Sequence, residues 1–204
     1  MVKICGITRA EDAALAVELG AGAVGFVFWP GSPRYIEAAR ARAIVDSLPP
    51  FVTPVGVFVN QAPDAVNTVA DRARLAAVQL HGDETVADAE RIDRPILKAV
   101  TPADADRAAT EWPHRIMLLI DAHDAARRGG TGKTTDWSVA AALAARRRTL
   151  LAGGLRPENV AEAIARVRPF GIDISSGVEA SPGIKDHDRL RALFQAVSLV
   201  QAGS

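Results

Sequence analysis

Apolar and polar positions alternate along the chain on two length scales. Short runs rich in β-branched residues, apolar on both faces, are each followed by a longer alanine- and charge-rich stretch with helical periodicity. The runs are Val2–Cys5, Ala23–Phe28, Pro54–Val59, Ala77–Leu80, Pro95–Val100, Ile116–Asp121, Thr149–Ala152 and Gly171–Ser175. Strands that are apolar on both faces suit a parallel sheet covered on both sides. The first helix is predicted to open at Thr8-Arg9-Ala10-Glu11, which has the spacing of a capping box, and to stop near Gly20. Further helices are predicted over Ile36–Ser47, from Pro63, over Glu84–Ile92, Ala103–Glu111 and Trp137–Ala145, from Pro157-Glu158, and over Asp186–Val200. Proline at 63 fits a first helical turn, where an N–H has no partner to lose. Alternating β and α elements allow an open doubly wound sheet or a closed barrel. Eight such units favour a single (β/α)8 TIM barrel, eight parallel strands ringed by helices, with residues 1–204 as one domain. Such barrels usually run to about 250 residues, so the loops of this 204-residue chain must be short.

Lysine plus arginine and aspartate plus glutamate both number 24, so the formal net charge is zero. That balance argues against nucleic acid or an acidic membrane as partner. Hydrophobic residues make up 49%, enough for a large core. One cysteine permits neither an intramolecular disulfide nor a cysteine-cluster zinc site. The four histidines lack ligand spacing, so no metal is expected. No apolar run approaches the roughly 18 residues of a membrane span, and the first residues lack a signal-peptide pattern. A cytoplasmic protein without metal, membrane or nucleic-acid partner is the expectation.

In a barrel of this kind chemistry sits at the C-terminal ends of the strands. Gly153-Gly154 follows the seventh run and Ser175-Ser176-Gly177 the eighth, the loops that commonly form a phosphate site. Ordinary turns are the plainer reading of either glycine set alone. Cys5 ends the first run and Asp121 the sixth, so a thiol and a carboxyl group can flank one small ligand as a base–acid pair. Their bland alternatives are a small buried hydrophobe and a helix or loop cap. Activation of the thiol by Lys3 is not assumed, because Lys3 points the same way but lies lower in the barrel. Arg34, in a proline-bounded loop, is either a planar carboxylate binder or a solvated arginine. Gly129–Lys133 resembles half of a nucleotide-binding P-loop, but the required leading glycine is Arg127. A mobile loop whose Lys133 reaches an anionic ligand suits it better. Arg146-Arg147-Arg148 reads as a solvated helix end favoured by the helix dipole.

Taken in order, Lys3-Ile4-Cys5-Gly6-Ile7-Thr8, Ser32-Pro33-Arg34, Val78-Gln79-Leu80-His81-Gly82, Gly129-Gly130-Thr131-Gly132-Lys133, Gly153-Gly154-Leu155 and Asp173-Ile174-Ser175-Ser176-Gly177-Val178-Glu179 resemble the phosphoribosylanthranilate isomerase family. The resemblance spans essentially the whole chain and departs at Thr135, where the family tends to carry an aromatic residue. It implies an Amadori rearrangement of N-(5-phosphoribosyl)anthranilate to the 1-deoxyribulose 5-phosphate aminoketose, without a cofactor. Asp121 would then be the general acid and Cys5 the general base. Arg34 would hold the anthranilate carboxylate, and the backbone at Gly153, Gly154, Ser176 and Gly177 the phosphate. His81 matches a family motif at the mouth and is placed among the substrate-binding residues without a chemical step. The partner implied is a small phosphorylated substrate, with monomer and homodimer both open. Two alternatives remain at this level: the related aminoaldose isomerase of histidine biosynthesis, and a non-enzymatic nucleotide binder built on the Gly129 loop.

Overall fold

The computed structural model describes residues 1–121 and 137–202. Its strands and helices alternate as β1 (Val2–Ile4), α1 (Ala10–Glu18), β2 (Ala23–Val27), α2 (Ala38–Val45), β3 (Thr53–Phe58), α3 (Pro63–Ala73), β4 (Ala77–Leu80), α4 (Val86–Glu90), β5 (Ile96–Val100), α5 (Ala105–Glu111), β6 (Met117–Asp121), α6 (Ser138–Arg146), β7 (Thr149–Ala152), α7 (Val160–Val167) and β8 (Gly171–Ile174). A 3-10 turn at Ser176–Val178, a hairpin of β9 (Glu179–Ser181) and β10 (Ile184–Lys185), and α8 (His187–Ala202) follow. Strands β1 to β8 are parallel and hydrogen-bond in sequence order. The ring closes because β1 pairs with β8 as well as with β2.

Alternation along the strands sends side chains to two compartments. Val2, Ile4, Val24, Phe26, Leu118, Ile120, Leu151, Ile172 and Ile174 face outward into the large core shared with the helices. Leu97, Ala99, Leu119, Leu150 and Ala152 fill one side of the lumen, and Cys5, Val27 and Val57 form a small cluster on the other. Lys3, Gln79 and Asp173 are also buried there, so the lumen is apolar toward β5–β7 and polar where β8, β1 and β4 contribute.

Several local expectations change. Thr8 does not cap α1: its hydroxyl donates to the Gly183 carbonyl at 2.5 Å, and Arg9 occupies the cap position without a side-chain cap bond. Helix α7 begins at Val160, three residues after Pro157, because residues 156–159 form a turn tied by Asn159. Arg147 is not solvated. It is 6% exposed, and its guanidinium donates to the carbonyls of Ala109, Trp112, Pro113 and Ile116. It thereby ties the end of α5 to the approach of β6, and burial without a carboxylate partner lowers its pKa. Pro63 begins α3 as the sequence predicts.

Candidate active site

A chain of polar groups crosses the lumen below its mouth. The Lys3 ammonium donates to Asp173 Oδ1 and to Gln79 Oε1, both at 2.9 Å. Burial works against the Lys3 charge, but Asp173 and Cys5 outweigh it and raise its pKa. Because an ammonium only donates, it fixes the Gln79 amide with oxygen toward Lys3 and nitrogen toward His81. The amide nitrogen lies 2.7 Å from His81 Nδ1. Nδ1 must therefore accept, which leaves the imidazole proton on Nε2. Crowding by protein, with Lys3 and Lys98 nearby, lowers the His81 pKa against the opposing pull of Asp121 and Asp173. The loop after β4 is braced from behind: buried Lys98 donates to the Gly82 carbonyl and to Glu84, which in turn accepts from the Gly82 and Asn60 N–H groups.

Cys5 lies one residue beyond β1, held by its N–H to the Ile174 carbonyl at 2.8 Å. It shares the lumen-facing parity of Lys3. Burial pushes the thiol pKa up, Lys3 and Lys185 pull it back, Asp173 opposes them, and the net shift is upward. Lys3 thus offsets part of the burial effect on Cys5 without bringing the thiol below its ordinary pKa. Asp121 ends β6 with the parity of Met117 and Leu119, which line the lumen, and is partly buried.

Arg34 is paired inside the protein. Its Nε donates to Glu179 Oε1 at 2.8 Å and its Nη2 to Oε2 at 2.6 Å. The stem of Arg34 passes over Gly6, whose φ is +73°; a Cβ there would lie 2.6 Å from Arg34 Cδ. Glu179 belongs to the motif that starts at Asp173, but its pairing with Arg34 and the place of its cross-strand partner Lys185 escape the sequence reading. The signal that could have exposed them is Ser181-Pro182-Gly183, a proline–glycine turn whose Gly183 has φ +80°.

The two glycine loops meet. Gly153 and Gly154 follow β7 with φ of +93° and +64°. Among the described residues, the loop hydrogen bonds leave the N–H groups of Gly153, Gly154 and Ser176 without an acceptor. Gly177 is required by packing, since a Cβ on it would overlap the Leu155 carbonyl oxygen. The expectations for Arg127, Gly129–Lys133 and Thr135 lie outside the described residues. Among the described residues no cluster of histidine, cysteine and carboxylate side chains fits a metal ion, and no helix is long and apolar enough to cross a membrane.

A closed parallel barrel with titratable groups at the C-terminal ends of β1 and β6, beside paired glycine loops after β7 and β8, is the architecture of a (β/α)8-barrel enzyme. The profile of the N-(5'-phosphoribosyl)anthranilate isomerase family matches residues 2–196. The N-(5'-phosphoribosyl)anthranilate isomerase of Pseudomonas fluorescens (strain Pf0-1) is 48% identical over 198 residues, 96% of this chain and 97% of that protein. The crystal structure of phosphoribosyl anthranilate isomerase from Thermotoga maritima superposes with a TM-score of 0.89 at 47% identity, covering 97% of this chain and 98% of that one. A phosphoribosyl anthranilate isomerase solved in complex with reduced 1-(o-carboxyphenylamino)-1-deoxyribulose 5-phosphate gives 0.86 at 45% identity, covering 97% of both chains. The chain belongs to the N-(5'-phosphoribosyl)anthranilate isomerase family. It is an isomerase of tryptophan biosynthesis.

Proposed function

We propose that residues 1–204 act as one cytoplasmic catalytic barrel, monomer or homodimer, on a small phosphorylated substrate, and that Cys5 and Asp121 divide the proton transfers. Asp121 donates a proton to the furanose ring oxygen of N-(5'-phosphoribosyl)anthranilate; the C1–O bond breaks and the nitrogen lone pair forms a cationic imine. Cys5, as thiolate, takes the proton from C2. The C–H electrons form the C1–C2 double bond of an enolamine, and the imine electrons return to nitrogen. Tautomerisation then gives the 2-ketone. The cationic imine is itself the electron sink, so the chemistry calls for no cofactor. It also answers the raised thiol pKa, because a positive charge beside Cys5 favours the thiolate.

The observation that carries this reading is the placement of the chain's single cysteine at the lumen end of β1, under the influence of two buried ammonium groups, with Asp121 facing the same lumen. Open N–H groups at Gly153, Gly154 and Ser176, with Gly177 in the adjoining turn, support a phosphate seat. His81 offers Nε2–H to the substrate as a neutral donor.

The test is to follow the disappearance of phosphoribosylanthranilate with wild type, Cys5→Ala and Asp121→Asn, and to assay the histidine-pathway aminoaldose in parallel. Each substitution is expected to lower kcat by about 10²–10⁴-fold. A Cys5→Ala enzyme with wild-type kcat/KM removes Cys5 as base. An Asp121→Asn enzyme altered only in KM reduces Asp121 to a binding group.

A further inference from the structure

We propose that Glu179 and Lys185 form a clamp that sets the carboxylate specificity of the isomerase by holding Arg34 with one edge of its guanidinium aimed at the substrate. The proposal rests on the reading that Arg34 receives the anthranilate carboxylate. A guanidinium presents two donor edges to planar carboxylates. Glu179 occupies the Nε/Nη2 edge at 2.8 and 2.6 Å. Among the described residues no hydrogen bond uses Nη1, so the Nη1/Nη2 edge remains for a second carboxylate. Burial is graded in the same sense: the Arg34 side chain is 23% exposed and Glu179 beneath it 5%.

A simple Arg34–Glu179 pair would be neutral and would offer an anion little attraction. Lys185 changes that sum. Its Nζ lies 2.6 Å from the Cys5 carbonyl, 3.1 Å from the Ser175 carbonyl and 3.0 Å from Glu179 Oε1. Three acceptors use all three donors of an ammonium, and a neutral amine would turn a lone pair on one of them. Burial outweighs Glu179 and lowers the Lys185 pKa from its ordinary value, but the three acceptors are those an ammonium requires, and the geometry holds the charge. Two cations share one anion, and the triad keeps a net positive charge for the ligand. Glu179 is itself over-determined, since Oε1 also accepts from the Gly183 N–H at 3.3 Å in the hairpin turn. Gly6 completes the device, because any side chain there would push the Arg34 stem out of line. The clamp is also continuous with the other end of the site, through the Ser175 carbonyl at the start of the phosphate turn.

Glu179 and Lys185 touch no substrate in this account; they are positioning residues. The test compares phosphoribosylanthranilate with its aniline analogue, which lacks the carboxylate, in Glu179→Gln, Arg34→Ala and the double variant. Glu179→Gln is expected to raise KM for the carboxylated substrate by about 10- to 100-fold, with kcat changed far less and the analogue unaffected. The effect is expected to vanish in the Arg34→Ala background, which a purely structural role would not produce. Because Glu179→Gln removes the anion from a buried lysine, Glu179→Asp is the second variant. It keeps the charge, retracts it by one methylene, and is expected to give a smaller KM rise of the same selectivity. Equal losses on both substrates, an unchanged KM in folded enzyme, or the same loss without Arg34 overturns the clamp. If Arg34→Ala itself fails to distinguish the two substrates, the Arg34 reading falls and the clamp with it. If Arg34→Ala distinguishes them and the Glu179 variants do not, only the clamp falls.

Discussion

Cys5, the base in the proposed mechanism, has surroundings that favour its proton. Burial is the largest influence on the thiol, and the Lys3 and Lys185 ammonium groups only partly offset it. The inactivation rate of the free enzyme by iodoacetamide should therefore rise with pH through an apparent pKa above that of a free cysteine, about 8.5. Lys185→Met, which removes one of the two cations, should move it higher still. An apparent pKa below the free-cysteine value would contradict the structure. The same preference has a stability consequence with a definite sign. As pH rises past the ordinary cysteine value the unfolded chain loses its thiol proton first, so the folded state loses stability relative to it above that pH. His81 behaves oppositely in pH. Its folded pKa is lowered, so the stability of the neutral ring is complete above the ordinary value near 6.5 and declines as pH falls through it.

At the level of elements, the strands that build the barrel were legible because their apolar, β-branched runs stand apart from the alanine-rich helices between them. The β9–β10 hairpin was not. Strands of three and two residues are too short to show alternation, and nothing in their pattern pairs Glu179 with Lys185 until the turn at Pro182-Gly183 folds them together. The direction of Lys3 was legible but its partners were not: a single charge inside an apolar run gives no sign that Gln79 and Asp173 will meet it from strands four and eight. Arg147 hid among three arginines whose common reading is a solvated end. The place of Cys5 and Asp121 at strand ends was readable from spacing, but their roles came from the ordered motifs and not from periodicity. Gly177 shows how one element depends on another. Its backbone packs against Leu155 at the start of the loop to α7, so even Gly177→Ala must separate the β7 and β8 loops. Thermal melting should show a loss of about 1–3 kcal/mol, in the range of overpacked sites. A melting temperature equal to wild type would mean that the two loops part without cost.

For the whole molecule, the Lys3–Asp173 pair ties the first barrel strand to the last. Both side chains are buried, at 1% and 8% exposure. Removing one partner leaves an uncompensated charge, so Lys3→Met and Asp173→Asn should each destabilise by about 3–5 kcal/mol in urea unfolding. Lys3→Met combined with Asp173→Leu should recover most of that stability without recovering full turnover, because the Gln79 amide then loses the donor that orients it toward His81. If the double variant is as unstable as either single one, the pair is held by more than its charges. The pairing also has a consequence for synthesis on the ribosome. Lys3 emerges first, and its carboxylate follows 170 residues later. Until translation reaches β8, the growing sheet has two open edges, at β1 and β7, and carries an ammonium with no anion to meet it. Such edges are the templates on which unfinished chains pair with one another. Ring closure is a long-range contact that local helix and strand formation cannot replace, so it should come late and slowly. A message cut short before the codon for Asp173 would leave seven strands in an open sheet, with an adhesive edge where the ring should close.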